Sequence, residues 1–189
     1  MSSSPQPVAD LLADLARGLG ALGVRWFLFG AQAAILHGAA RLSADVDVTV
    51  DLGTRSSRDL VDGLSREGFE LRVADVEGFV EATRVIPLVH AASRMPLDVV
   101  LSGPGLEEQF FARLTERRIG GQPVPVVSAE DLVAMKILAG RPRDMEDVTS
   151  ILRARRDLDL QAVRETLRLL ERALDRADLL PELDRLLRT

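Results

Sequence analysis

Cysteine is absent from this 189-residue chain, which excludes disulfides, thiolate metal sites and cysteine nucleophiles. That absence suits a reducing compartment, and a cytoplasmic location is the expectation. Long apolar runs are missing too. The longest, such as residues 26–29 and 85–89, are far too short to span a bilayer, so no membrane role is expected. The opening Met1-Ser-Ser-Ser-Pro-Gln-Pro has no basic stretch followed by an apolar one and does not read as a signal peptide. Disorder is expected there. An excess of positive charge is lacking as well, because the net charge is −5. That argues against binding nucleic acid through broad phosphate neutralisation. A local patch at Arg113, Arg117 and Arg118 stays compatible, although such runs are ordinarily solvated helix ends. Lysine is nearly missing: Lys136 is the single lysine among 24 basic residues. A position that keeps lysine against such a bias points to a need for a compact ammonium rather than a planar fork.

What is present is ordinary for a folded chain, with 47% hydrophobic and 28% charged residues. Apolar residues recur at helical spacing over 8–22, with Gly23 as a stop. Residues 25–29 read as a buried strand ending at Gly30, and the alanine-rich 31–37 as a helix. Residues 46–50 alternate apolar and polar with the period of a strand. A helix over 57–67 follows, then strands over 85–90 and 97–101 joined at Ser93 and Arg94 as a hairpin. The pattern predicts a helix over 106–116 and an edge strand or connector over 119–127. Beyond Ser128 it predicts helices alone, through 138, over 142–152, 160–174 and 179–187. The expected fold class is therefore α/β (α+β): a small mixed sheet with flanking helices over 1–120, and a helical region over 121–189 packed on that core.

Chemistry concentrates in two places. A strand that ends in Gly30 at a helix start allows close backbone approach to a ligand and offers free N–H groups to phosphate. Asp45 and Asp47, two apart on a strand, project from one face. Like charges so close repel unless a cation or hydrogen bonds compensate. Mg²⁺ takes oxygen ligands and is commonly held by carboxylates together with substrate phosphates. A third carboxylate, Asp98, sits on the later apolar run Leu97-Asp98-Val99-Val100. If the two strands are neighbours, three carboxylates converge and could hold two Mg²⁺ ions about 3.5–4 Å apart, as phosphoryl-transfer sites do. The plainer alternative is that Asp45 and Asp47 line the solvated face of an edge strand.

The stretch Phe29-Gly30-Ala31 … Asp45-Val46-Asp47-Val48 resembles the signature of the nucleotidyltransferase (DNA polymerase β-like) superfamily. Gly30-Ala31-Gln32-Ala33, His37-Gly38, Arg41, Ser43 and Asp45-Val46-Asp47 more narrowly resemble the AbiEii-type nucleotidyltransferases, which include toxins of bacterial toxin–antitoxin pairs. Asp131-Leu132, Lys136 and Arg141-Pro-Arg-Asp144-Met-Glu-Asp147 resemble that family's second block. The resemblance spans residues from about 25 to 150. Ala31 stands where the wider superfamily has Ser or a second Gly, so backbone N–H groups of Ala31 and Gln32 would have to contact the phosphates.

The resemblance implies a nucleoside triphosphate substrate held through Mg²⁺ by Asp45 and Asp47, with Asp98 completing the metal site and accepting the proton of the attacking hydroxyl. It implies that Lys136 neutralises phosphate and that Gly30, Ala31 and Gln32 form the phosphate turn. Arg41 and Ser43 would line the nucleotide pocket, although Arg41 could equally neutralise the acidic cluster. Asp147 could position Lys136 or touch the acceptor. Asp144 reads more simply as a helix N-terminal charge, and His37 and His90 as packing or capping residues. The acceptor would be an RNA such as tRNA, or a protein, and an antitoxin could be a partner. Two alternatives stand beside this: an antibiotic-modifying nucleotidyltransferase, and a nucleotide-binding or partner-binding module without turnover.

Overall fold

In the computed structural model, residues 7–103 and 105–188 are described. The disorder expected for the first residues lies outside them, except at Pro7, which opens α1. The elements run α1 (Pro7–Leu22), β1 (Arg25–Phe29), α2 (Gly30–Leu36), β2 (Val46–Asp51), α3 (Ser57–Ser65), β3 (Phe69–Leu71), α4 (Val76–Thr83), β4 (Val85–His90) and β5 (Pro96–Leu101). They continue as α5 (Leu106–Phe111), β6 (Thr115–Ile119), β7 (Gln122–Val126), α6 (Ala129–Ala139), α7 (Pro142–Ala154), α8 (Leu160–Leu174) and α9 (Leu179–Leu186). The seven strands form one mixed sheet in the order β3-β4-β5-β2-β1-β7-β6. This is the mixed α/β class expected.

The centre of the sheet explains the sequence pattern of its strands. β2 pairs antiparallel with β1 and parallel with β5, so Val46, Val48 and Val50 are fully buried while Asp47 faces the other way. The β4–β5 hairpin forms as expected, with Arg94 taking positive φ in its turn. Helix starts follow local chemistry: Ser56 and Asp59 form a reciprocal capping box for α3. Ser128 caps α6, and Pro142 opens α7, where a missing N–H costs nothing.

Three expectations need correction. The predicted helix over 106–116 stops at Phe111, and Thr115 to Ile119 form β6. Gly120 and Gly121, both at positive φ, make a two-residue hairpin turn that pairs Ile119 with Gln122. That cross-strand pairing outweighs the weak helical pattern. Second, the stretch 119–127 is neither edge nor connector, because β7 lies between β1 and β6. β1 meets β7 only around Val126 and Val127, so Pro123 and Pro125 fall where that side of the strand has no partner, as proline requires. Third, β3 and α4 had no counterpart in the sequence pattern. The residue-120 division falls inside the hairpin turn, and the change to helix alone comes after β7.

The helical region is not an appendix. α6 is buried on most of its surface, with Leu132, Val133, Ala134 and Ile137 inside together with Asp131 and Lys136, and such a helix belongs in a core. It packs against α2, α7, α8 and α9. Asp131, fully buried, receives the Arg113 guanidinium through two bonds of 2.6 and 3.1 Å and the Ser128 hydroxyl at 2.8 Å. This clamp ties the end of the α5 segment to α6. Removing the cation leaves a carboxylate buried without its countercharge, which is costly. Arg113→Ala is expected to lower stability by about 1–3 kcal/mol, whereas Arg176→Ala, which removes only an exposed pair with Asp178, leaves the urea midpoint unchanged. Parallel urea titrations of the two variants measure the difference.

Candidate active site

Gly30 is where the strand turns into the helix. It sits at φ +66°, a conformation that side chains rarely adopt. A Cβ there would come within 2.7 Å of the Asp47 Cγ. Both constraints demand glycine, and together they let the Asp47 carboxylate reach the start of α2, where it accepts the N–H of Ala31. Asp47 is the register partner of Phe29 on one side and of Asp98 on the other. Register partners share a face of the sheet, so the Asp47 and Asp98 carboxylates stand side by side. Asp45 joins them from the turn just before β2.

That turn is held from below. The Gln32 side chain is buried, and its amide donates to the carbonyls of Ser43 at 3.0 Å and Asp45 at 3.3 Å. Gln32 therefore fixes the segment carrying Asp45 and does not line the cleft. Ser43 does line it, as do Gly30, Ala31, Arg41, Asp45, Asp47 and Asp98. The cleft holds about 700 Å³, in the range of small-molecule sites.

Its far wall comes from α6 and α7. Lys136 is buried and donates to Asp144 at 2.9 Å and Asp147 at 2.7 Å. Asp147 also accepts Arg41 at 2.9 Å. Its contacts are those of a residue that positions Lys136, and Arg41 pairs with Asp147 rather than with the strand carboxylates. Asp144, which the sequence suggested was a mere helix-end charge, is buried in this network and receives Arg141 at 2.6 Å. Burial works to raise its carboxyl, but Arg141 and Lys136 outweigh that and hold it below the ordinary carboxylate value. Arg141, Pro142, Arg143 and Asp144 all line the cleft. That Arg141 and Arg143 line the cleft was missed, because the motif is visible in the sequence but the direction its helix start faces is not. Asp98 is ion-paired to Arg72, a residue with no sequence signal at all. His37 is a buried packing residue whose Nε2–H donates to the Val127 carbonyl at 2.8 Å.

The electrostatics of the acidic side are unfavourable as they stand. Burial first, then the charges of Asp98 and Asp45, push the Asp47 carboxyl up to about 6. The Ala31 N–H and the field of Lys136 oppose that without cancelling it. All the convergent donors are carboxylate oxygens, the ligand type that Mg²⁺ takes, and a divalent cation would relieve the repulsion. Among the described residues, no three acidic or histidine side chains already close round a metal position. Among the described residues, too, no helix is long and apolar enough to cross a membrane.

A family model described as the nucleotidyl transferase AbiEii toxin of type IV toxin–antitoxin systems matches residues 13–188. The chain belongs to the AbiEii nucleotidyl transferase family and is a nucleotidyl-transferring enzyme. No curated protein sequence matches it. Among solved structures it is similar to an antigenic nucleotidyltransferase-like protein from Paracoccidioides brasiliensis, with a TM-score of 0.59 and 21% identity over 96% of this chain and 94% of that one. It is also similar to the antibiotic-resistance factor ANT(2'')-Ia, with a TM-score of 0.61 and 16% identity over 89% and 93% of the two chains. The lincosamide antibiotic adenylyltransferase LnuA is similar at a TM-score of 0.52 and 13% identity, over 76% of this chain and 94% of that one. At such identities the likeness is one of fold.

A carboxyl raised in the folded state is charged at a cost that grows with pH. Between the ordinary 3.8 and about 6, the folded protein holds the Asp47 proton more tightly than the unfolded chain, so stability falls as pH rises through that window. Asp47→Asn removes the penalty. In EDTA, the variant is expected to gain about 1–3 kcal/mol over the parent at pH 7.5 and little at pH 4, read by urea denaturation at both values. Gly30→Ala should lose about 1–3 kcal/mol at either pH, through positive φ and the collision with Asp47.

Proposed function

We propose that this enzyme moves a nucleoside monophosphate from a nucleoside triphosphate to an acceptor hydroxyl, in a Mg²⁺-dependent reaction that releases pyrophosphate. The observation that carries the reading is the cleft's uneven charge: Asp45, Asp47 and Asp98 gather on the sheet side, while Lys136, Arg141 and Arg143 outnumber Asp144 on the helix side. A triphosphate is the kind of ligand such a cleft suits, because its oxygens can meet guanidinium and ammonium groups on one side and carboxylate-bound cations on the other.

In this reading, Asp45, Asp47 and Asp98 would hold the Mg²⁺ ions, which when bound would neutralise triphosphate charge. Arg141 and Arg143 stand at the start of α7 and bind phosphate oxygens. Lys136, held by Asp144 and Asp147, contributes a fixed positive field at the same wall and keeps α6 and α7 in register. Arg41 and Ser43 border the nucleotide. Gly30 and Ala31 bring the backbone to the phosphates, which requires the Asp47 carboxylate to release the Ala31 N–H. The acceptor oxygen forms a bond to the α-phosphorus as the bond to the pyrophosphate oxygen breaks. Asp98 takes the proton from that hydroxyl and passes it to solvent.

Family membership favours an RNA acceptor such as tRNA, or a protein, and a toxin role with an antitoxin partner. The second reading, modification of an antibiotic, draws on the similarity to ANT(2'')-Ia and LnuA. Incubating the protein with Mg²⁺, each α-labelled triphosphate, and bulk tRNA or cell extract separates these. Label transferred to macromolecule, together with growth arrest on expression, supports the first; resistance to aminoglycoside or lincosamide without arrest supports the second. Asp98→Asn is expected to reduce transfer by about 10²–10⁴-fold. Absence of labelled product with every triphosphate would overturn the proposal.

A further inference from the structure

Asp98 lies in a row that crosses the sheet from strand to strand. Asp47 on β2 is in register with Asp98 on β5, and Asp98 with Pro87 on β4. The β3–β4 ladder continues one residue past Leu71, since the Arg72 N–H donates to the Pro87 carbonyl at 3.0 Å. Arg72 thus ends the same row, and its guanidinium reaches back across the Pro87 ring to Asp98 Oδ1. Proline offers no donor and no long side chain to intervene between them.

The three carboxylates are compensated differently. Asp47 has the Ala31 N–H. Asp45 has no ion pair among the described residues, and it is its backbone N–H, not its carboxylate, that donates to the Ser43 hydroxyl. Asp98 alone has a resident cation. That cation sits on Oδ1 of a carboxylate that also lines the cleft, and a guanidinium and a metal draw on the same set of lone pairs.

We propose that Arg72 is an exchangeable counter-ion: it neutralises Asp98 while no metal–nucleotide is present and gives the carboxylate up when a divalent cation and triphosphate enter. The inference rests on the triphosphate reading of the cleft. Two further features make exchange feasible. The pair is open to solvent, with side-chain exposures of 37% and 40%, so it is held by only a modest interaction. Arg72 also stands at the root of α4, a helix with no buried residue whose Val76 and Val80 only rest on the core. Moving the 72–75 segment therefore opens no core. Arg72 is on this account a positioning residue and not a catalytic one, and it is absent from the cleft lining.

The test is metal affinity, read without turnover. Mn²⁺ binding is measured by electron paramagnetic resonance in the presence of a non-hydrolysable triphosphate, for the full chain and for Arg72→Met and Arg72→Lys. Without its competitor, Arg72→Met is expected to bind Mn²⁺ about 3- to 10-fold more tightly. Arg72→Lys, which keeps the charge but loses the fork, should fall between it and the parent. With Asp98→Asn, the Arg72→Met change should make no difference. Equal or weaker Mn²⁺ binding by Arg72→Met overturns the inference. If that variant fails to fold, parent-like affinity in Arg72→Lys overturns it. Nucleotide-dependent Mn²⁺ binding missing from parent and variants alike would overturn the triphosphate reading itself, and the inference would fall with it.

Discussion

The structure turns on the crowding of negative charge against Gly30. Asp47 is pressed between Phe29 and Asp98 in the middle of the sheet, where burial and two neighbouring carboxylates all oppose its ionisation. A sheet built for stability alone would have an apolar residue there, as it does at Val46 and Val48. The surroundings instead offset the charge in pieces: one backbone N–H from Ala31, the field of Lys136, and Arg72 on the neighbouring carboxylate. None of these removes the repulsion. The same arrangement that costs the folded state stability therefore leaves the cleft poised to gain from any added cation.

The helical half answers that charge from the other side of the cleft. Lys136 could not serve there alone, because burying a charge without partners is strongly unfavourable. Asp144 and Asp147 allow it to stay buried, and each carboxylate is in turn shared with an arginine, Arg141 or Arg41. The network spans the loop after α2, the last turn of α6 and the first turns of α7. It thereby fixes the distance between the sheet and the start of α7, where Arg141 and Arg143 lie. A surface pair would be too loose and too screened to set that spacing. The Arg113–Asp131 clamp does similar work at the other end of α6.

How much of this was legible follows from how local each signal is. The alternation through β2 and the apolar run of β5 announced strands, and a hairpin was foreseeable from the turn at Ser93 and Arg94. The convergence of Asp98 with Asp47 needed one further fact, the pairing of β5 with β2, which no local pattern encodes. β6 was lost because Leu114 and the arginines around it continue a helical rhythm, although the Gly120-Gly121 pair was a hairpin signal that could have corrected it. β3 and α4 were lost because three residues of strand and an unburied helix carry little periodicity. Gln32 looked like part of a phosphate turn, and only the loop's return path makes its side chain a clamp on Ser43 and Asp45. Arg72 could not be found at all from sequence: its partner is 26 positions away, two strands across the sheet.

These gaps share a cause. The carboxylates, the glycine turn and the lysine helix each sit on, or directly beside, an element whose local pattern is strong. Arg72, Arg141 and Arg143 sit at element ends, where direction is set by packing between distant segments. Similarity to solved structures at 13–21% identity is a likeness of fold and carries no residue-by-residue roles. Likeness of frame therefore does not by itself fix what an enzyme acts on. The chain is least constrained by the core in stretches such as the loop carrying the fully solvated Leu42, and it is in such loops that enzymes of one frame are freest to differ.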